Sequence, residues 1–267
     1  MKISIITVNY NNKKGLERTL QSVVGQTFTD YEHIVIDAGS TDGSKEIIEQ
    51  NAQLFSYWVS EKDAGVYNGM NKGIAKAKGE YCFFLNSGDW LVNEHVLANI
   101  DNYLSSDFDI IYGNLIKINP ATRKETECKY PEKLTFNHFY IHTLPHQGSF
   151  IKTSLFSEIG MYDEEYRITA DWAFFILAIC KFNKSYKYVD IAISYFILDG
   201  IGSIESNWEN VKSERKHFLE KHFNIFTVDY KAYNDIKNLQ VLRYWNIFKK
   251  TFLYVILKKL SKSTSSN

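Results

Sequence analysis

Proline and cysteine are both scarce in this 267-residue chain: Pro120, Pro131 and Pro145, and Cys82, Cys128 and Cys180. So few prolines leave no Pro-rich linker, which excludes modules strung on a stiff tether. The cysteines are odd in number, widely spaced and set in apolar or ordinary contexts. That excludes a disulfide framework and a zinc motif and suits a reducing compartment. Net charge is missing too, with Lys plus Arg and Asp plus Glu at 31 each, so no nucleic-acid partner is implied. No uncharged apolar run reaches the roughly 18 residues of a membrane-spanning helix. The N-terminus enters a strand shorter than the h-region of a secretory signal. Together these absences predict a cytoplasmic protein. Other phosphate-binding classes are also disfavoured. No Walker loop occurs, Gly200-Ile201-Gly202 lacks the third glycine of a dinucleotide fingerprint, and Asn9 to Gly15 is not the Gly- and Arg-rich loop of a nucleotidyl transferase.

Aromatics, by contrast, are plentiful, with 18 Tyr and 18 Phe. They supply apolar area and faces on which bases and sugar rings stack, although for most of them core filling is the ordinary role. The length allows one large α/β domain or two small ones.

Ile3-Ser4-Ile5-Ile6-Thr7-Val8 is a β-branched run that stops at Asn9-Tyr10-Asn11-Asn12, a group of turn and helix-cap residues. Leu16, Leu20, Val23 and Val24 share one face of a helix, with Gly25 just beyond them. A second strand, His33-Ile34-Val35-Ile36, runs into Asp37-Ala38-Gly39-Ser40-Thr41-Asp42-Gly43-Ser44. Strand, helix, strand, helix in this order predicts parallel pairing. Cys82-Phe83-Phe84-Leu85 then ends in Asn86-Ser87-Gly88-Asp89. A buried strand stopping at such a turn delivers a carboxylate to the crevice at a sheet's C-terminal edge, where open α/β sheets bind ligands. Asp89 is the leading candidate acid, its alternative role being to cap a helix starting near Val92.

The opening Ile5-Ile6-Thr7-Val8-Asn9-Tyr10-Asn11, the Asp37 to Ser44 loop, Asn71-Lys72-Gly73, Gly79-Glu80-Tyr81 and Asn86-Ser87-Gly88-Asp89 together resemble the family 2 glycosyltransferases. More thinly, so do Leu144-Pro145-His146-Gln147-Gly148-Ser149-Phe150, Ile159 to Tyr166, and Thr169-Ala170-Asp171-Trp172. The resemblance implies a GT-A fold, α/β and Rossmann-like, with a mostly parallel central sheet and helices on both faces. It implies an inverting enzyme using a nucleotide sugar, with residues 1–100 as the nucleotide-sugar half and 101–207 as the acceptor half of one domain. No family pattern continues past about residue 208, where the charged, amphipathic sequence itself predicts a helical extension over 208–267.

Roles follow from that resemblance. Asp89 matches the metal-contacting position, for Mn2+ or Mg2+, while Asn86 and Gly88 stand where acids are common. Asp37 is placed to accept the N3–H of uracil, which a base lacking that donor could not satisfy; its alternative role is an Asx-turn. Thr7, Asn9, Asp63, Tyr67, Asn71, Lys72, Asn86 and Ser87 are assigned to the donor side. Asn71 has loop fixing as its alternative and Lys72 an ordinary solvated position. Asp171 is the candidate base, the single carboxylate that inverting transfer needs, with helix capping as its alternative. Ala170 stands where an acid often precedes that base. His146, Gln147 and Trp172 are assigned to the acceptor. Gly200 to Ser203 and Glu205 fall where a loop often closes over the donor. The expected partners are a UDP-sugar and a glycan or lipid-linked acceptor of a surface-polysaccharide pathway. The competing expectation is a non-catalytic nucleotide-sugar-binding protein.

His138, His142 and His146 are spaced at i, i+4 and i+8, but Pro145 breaks a continuous helix and argues against zinc. The tail from Leu239 mixes large apolar residues with lysine. It reads equally as an interfacial helix at the inner membrane face, or as a helix packed on protein or mediating dimerisation, with Ser261 to Asn267 disordered.

Overall fold

The computed structural model describes residues 1–104, 107–198, 205–238, 244–245 and 247–253. The chain divides into two units, 1–214 and 215–267. In the first, the elements run β1 (Ile3–Asn9), α1 (Lys13–Val24), β2 (Tyr31–Asp37), α2 (Ser44–Gln50), β3 (Tyr57–Ser60), α3 (Val66–Ile74), β4 (Tyr81–Phe84), β5 (Trp90–Leu91) and α4 (Val96–Asp101). They continue with β6 (Ile110–Ile118), β7 (Glu125–Cys128), α5 (Phe136–Ile141), β8 (Ser149–Lys152), α6 (Leu155–Glu158), α7 (Ala170–Ile176) and β9 (Tyr186–Ile197). Helix α8 (Trp208–His222) crosses the division, which falls beyond the expected boundary at 207/208, and α9 (Asn224–Asn238) lies in the second unit.

One sheet carries the strands in the order β3-β2-β1-β4-β8-β6-β9-β5, with β7 paired to β6. The first four are parallel, as their alternation with helices predicts. Beyond β4 the sheet is mixed, because β8 runs antiparallel to both β4 and β6 while β6 and β9 are parallel. β1 is bordered by β2 on one side and β4 on the other, so successive connections leave it in opposite directions and open a crevice beyond the strands' C-terminal ends. Antiparallel β8 brings its N-terminal end to the same edge, with Phe150 opposite Phe83 and the two rings stacked at 4.5 Å.

Burial explains the strand sequences. β1 and β4 are buried along their whole lengths, consistent with their continuous apolar runs. One core cluster joins Ile3, Ile5, Phe83, Leu97 and Ile111, and another joins Leu16, Leu20, Val35 and Ile48. α3 lies directly on β1: a Cβ at Gly73 would stand 2.4 Å from Ile6 Cγ2. Only glycine permits that approach, and the Asn-Lys-Gly motif is thereby explained as packing.

Candidate functional site

Parallel register sets the first half of the site. Asn9 pairs with Asp37 across β1 and β2, and Asp37 pairs with Ser60 across β2 and β3, so the three residues form one row at the C-terminal edge. The Asp37 carboxylate accepts from Asn9 Nδ2 at 2.7 Å, Ser40 N at 2.9 Å, Ser40 Oγ at 2.5 Å and Ser60 Oγ at 2.6 Å. Burial opposes its charge, but these donors outweigh burial and hold the carboxyl below its ordinary range. Both carboxylate oxygens are thus occupied by donors of the fold itself, and the residue is fully buried. It organises the loop, which is the Asx-turn alternative.

Thr7 is corrected for a similar reason. It is fully buried within the sheet, donates to Leu85 O at 2.9 Å and contacts His33 Nε2 at 2.9 Å. Asn9 is 1% exposed; its amide nitrogen serves Asp37 and Ser40, while its Oδ1 is buried without a hydrogen-bond partner. Asn71 fixes a loop: its amide nitrogen donates to Tyr162 O and Glu164 Oε1 at 2.9 Å each, and its oxygen accepts from Tyr162 N at 3.0 Å. Lys72 is paired with Glu61 at 2.7 Å. Trp172 is 1% exposed and its indole N–H donates to Phe139 O at 2.7 Å, so it belongs to the core beneath the site and not to an acceptor surface. Gln147 is likewise buried, at 5% exposure.

Asp63 differs. Its Oδ1 accepts from Gly65 N at 2.9 Å at the start of α3, while its Oδ2 is buried without a hydrogen-bond partner. A buried acceptor left open in this way awaits a donor.

The Asn86–Asp89 turn is held by side chains of the first helix. Asn12 Nδ2 donates to Ser87 O at 2.9 Å. Thr19 Oγ1 lies 2.6 Å from Asp89 O and accepts from Gly88 N at 3.1 Å. Thr19 could have been found in the sequence, because it is the polar residue on the apolar face formed by Leu16, Leu20 and Val23. Gly88 has φ +107°, a conformation that an acid would adopt only with strain. Asp89 is 8% exposed, and the next helix starts at Val96 rather than near Val92, so Asp89 does not cap it.

Asp171 completes the arrangement. Its Oδ1 accepts from Tyr67 Oη and from Trp172 N, both at 2.8 Å, and its Oδ2 lies 2.9 Å from His146 Nδ1. His146 Nε2 in turn lies 3.3 Å from Asn86 Nδ2. A continuous chain therefore links the turn after β4, the turn before β8, the first turn of α7 and the first turn of α3. Burial alone would raise the Asp171 carboxyl, but His146, Tyr67 and the Trp172 N–H together hold it below its ordinary value. The side chain keeps 15% exposure. Just upstream, Glu214 accepts from the backbone N–H groups of Arg167, Ile168 and Thr169 and from Thr169 Oγ1 at 2.9 to 3.1 Å. Glu214 carried no local signal in the sequence, being a remote residue that caps the approach to α7.

A partly exposed, ionised carboxylate and an acid-bearing turn thus share one edge of a mixed α/β sheet. The sequence model described as glycosyl transferase family 2 matches residues 4–160. The chain belongs to glycosyl transferase family 2. This family 2 glycosyltransferase is 34% identical over 187 residues to "Uncharacterized glycosyltransferase MT1564" of Mycobacterium tuberculosis, across 67% of this chain and 70% of that one. It is 28% identical over 203 residues to a "PGL/p-HBAD biosynthesis glycosyltransferase" of Mycobacterium bovis, across 72% and 75%. Among solved structures, S. aureus TarS 1-349 in complex with UDP gives a TM-score of 0.61 at 21% identity, over 74% of this chain and 60% of that one. The glycosyltransferase therefore spans less than two thirds of that structure's length. The mannosyltransferase PcManGT from Pyrobaculum calidifontis, in complex with GDP-Man and Mn2+, gives 0.60 at 16% identity, over 85% and 64%. These neighbours share the GT-A fold.

The remaining expectations settle quickly. In the family 2 glycosyltransferase Ala170 is 1% exposed, so an acid at that position would enter the core. α5 ends at Ile141 and His142 is extended, so the three spaced histidines do not share a helix face. Among the described residues, no group of three His, Cys, Asp or Glu could hold a metal, and no helix is long and apolar enough to cross a membrane. The loop expected to close over the donor, Gly200 to Ser203, lies outside the described residues, as does the side chain of Glu205.

Proposed function

We propose that this glycosyltransferase moves a sugar from a UDP-sugar, with inversion, to a hydroxyl of a glycan or lipid-linked acceptor in surface-polysaccharide biosynthesis. The observation that carries this is the Asp171 carboxylate, held ionised by Tyr67 and His146 while still reachable from the crevice. Trp172 N–H and Tyr67 O–H occupy Oδ1, whereas Oδ2 has one partner and keeps a lone pair. The acceptor's O–H proton goes to that oxygen as its own oxygen bonds to the anomeric carbon. The bond from that carbon to the diphosphate breaks, and its electron pair leaves with the nucleotide. No second carboxylate is required, because the leaving group is already activated.

Asp63, with its open buried oxygen, takes over the base-reading role that Asp37 is too saturated to fill. A carboxylate there accepts an imide N–H, which uracil and guanine carry and cytosine lacks. The TarS structures were solved with UDP and with UDP-GlcNAc, which supports uracil. Asp89 suits Mn2+ or Mg2+, hard ions content with one carboxylate when phosphate oxygens and water fill the other positions. Such an ion, when bound, neutralises charge on the departing diphosphate.

The second unit supports a peripheral membrane contact. Ile225, Phe226, Val228, Ile236, Trp245, Phe248 and Phe252 are exposed. From Leu239 onward the chain carries Arg243, Lys249, Lys250, Lys258, Lys259 and Lys262 and no acid. Exposed aromatics with basic residues suit an anionic lipid surface near a lipid-linked acceptor.

Calorimetry of UDP, GDP and CDP, each with and without Mn2+, tests the donor assignment. UDP-selective, metal-enhanced binding is expected, and absence of nucleotide binding would leave a protein without donor function. Asp171→Asn should lower transfer by about 10²- to 10⁴-fold at nearly unchanged UDP affinity; equal loss of both would remove Asp171 from the base role. Deleting 239–267 should release the protein from anionic vesicles, and unchanged partitioning would refute membrane contact.

A further inference from the structure

The Asn86 amide nitrogen can only donate, so at 3.3 Å from His146 Nε2 it requires that nitrogen to present its lone pair. The single proton of a neutral imidazole then resides on Nδ1, which faces Asp171 Oδ2 at 2.9 Å. In this orientation Asn86 Oδ1 is a buried acceptor without a partner. The reverse orientation would bury the amide N–H groups instead and would require a second proton on the ring. An unpaired carbonyl is the less costly choice.

We propose that Asn86 is a positioning residue that fixes the Nδ1–H tautomer of His146 and keeps the ring uncharged, making Asp171 a stronger base than it would be beside an imidazolium; this rests on Asp171 being the base. An imidazolium at this distance would reduce the carboxylate's affinity for the acceptor's proton. Asn86 opposes that by offering Nε2 a donor instead of an acceptor. Among the described residues, the side chains hydrogen-bonded to the imidazole are Asp171 from α7 and Asn86 from the turn after β4. Tyr67 from α3 donates to Asp171 behind it, and burial pushes the phenols of Tyr67 and of its neighbour Tyr162 well above their ordinary value, so both stay protonated.

The substitution that isolates this role is Asn86→Asp, which keeps the shape but replaces the donor with an acceptor. In the full chain at pH 7.5, the ring-nitrogen NMR signature of His146 should show one protonated nitrogen, Nδ1, in the wild type. It should show two in N86D. Turnover of N86D should fall about tenfold through kcat. A wild-type ring protonated at Nε2, or at both nitrogens, overturns the inference without any variant being needed. An unchanged ring signature in N86D does the same. If the NMR results hold but D171N retains transfer, then the base assignment fails and the catalytic part of the inference falls with it.

Discussion

Tyr67 and Asp171 are separated by 104 positions in sequence yet joined by a 2.8 Å hydrogen bond from the phenol to the carboxylate. The same hydroxyl lies 2.8 Å from Ile168 O, so one proton is shared between two acceptors. α3, from the first hundred residues, thereby holds a carboxylate of α7.

Tyr67→Phe removes one of the donors that keep Asp171 ionised. The proton affinity of the carboxylate should rise, so the acid limb of the kcat profile should move to higher pH, with kcat at pH 7.5 falling less than in D171N. A pH–rate series on both proteins checks this, and an acid limb that does not move would detach Tyr67 from the base.

Thr19→Val removes the hydroxyl that accepts from Gly88 N and lies 2.6 Å from Asp89 O. An unsatisfied buried group costs about 1–3 kcal/mol, so the urea midpoint should fall. Metal-enhanced UDP binding should weaken by about tenfold, one decade being about 1.4 kcal/mol. Calorimetry reads the second effect, and intact metal enhancement would show that Asp89 is placed by other contacts.

Glu214→Ala takes the acceptor away from three successive N–H groups just before Asp171. Catalysis should fall while donor affinity holds, and Glu214→Gln should recover part of the loss because its amide oxygen still accepts. Equal damage from both variants would count against this hydrogen-bonding role.

His33 gives an acid limit to stability. Burial pushes its imidazole down to about 3 from an ordinary 6.5, so the folded state excludes a proton that the unfolded chain binds below pH 6.5. Stability therefore decreases as pH falls from about 6.5 towards 3, by up to about 1.4 kcal/mol per pH unit. Asp37 adds to the loss only further into acid, since its folded value lies below the ordinary carboxylate value and its stabilisation disappears as pH falls through that range. Urea midpoints at pH 7.5, 6.0 and 5.0 should show the decline, and His33→Phe should flatten it above pH 5.

Much of this was legible in the sequence because it is local. The apolar runs that became β1, β2 and β4, the polar turns that end them, and the apolar face of α1 all follow from side-chain period and turn chemistry. Asp89 was singled out by the same means, as an acid where a strand stops, whereas Asp171 was singled out by resemblance to the family's motifs.

Partnership was not local, and there the sequence could not decide. Asp37 and Asp63 are both acids near strand ends, yet register places Asn9 and Ser60 beside Asp37 and fills its oxygens, while Asp63 keeps one open. Thr7 and Trp172 lie beside functional positions but point into the interior. The sequence by itself determined the family and the sheet edge at which the candidate site lies. Only the tertiary structure decided which carboxylates remain available there, because a carboxylate's chemistry depends on the donors around it, and in this chain those arrive from other strands, helices and turns.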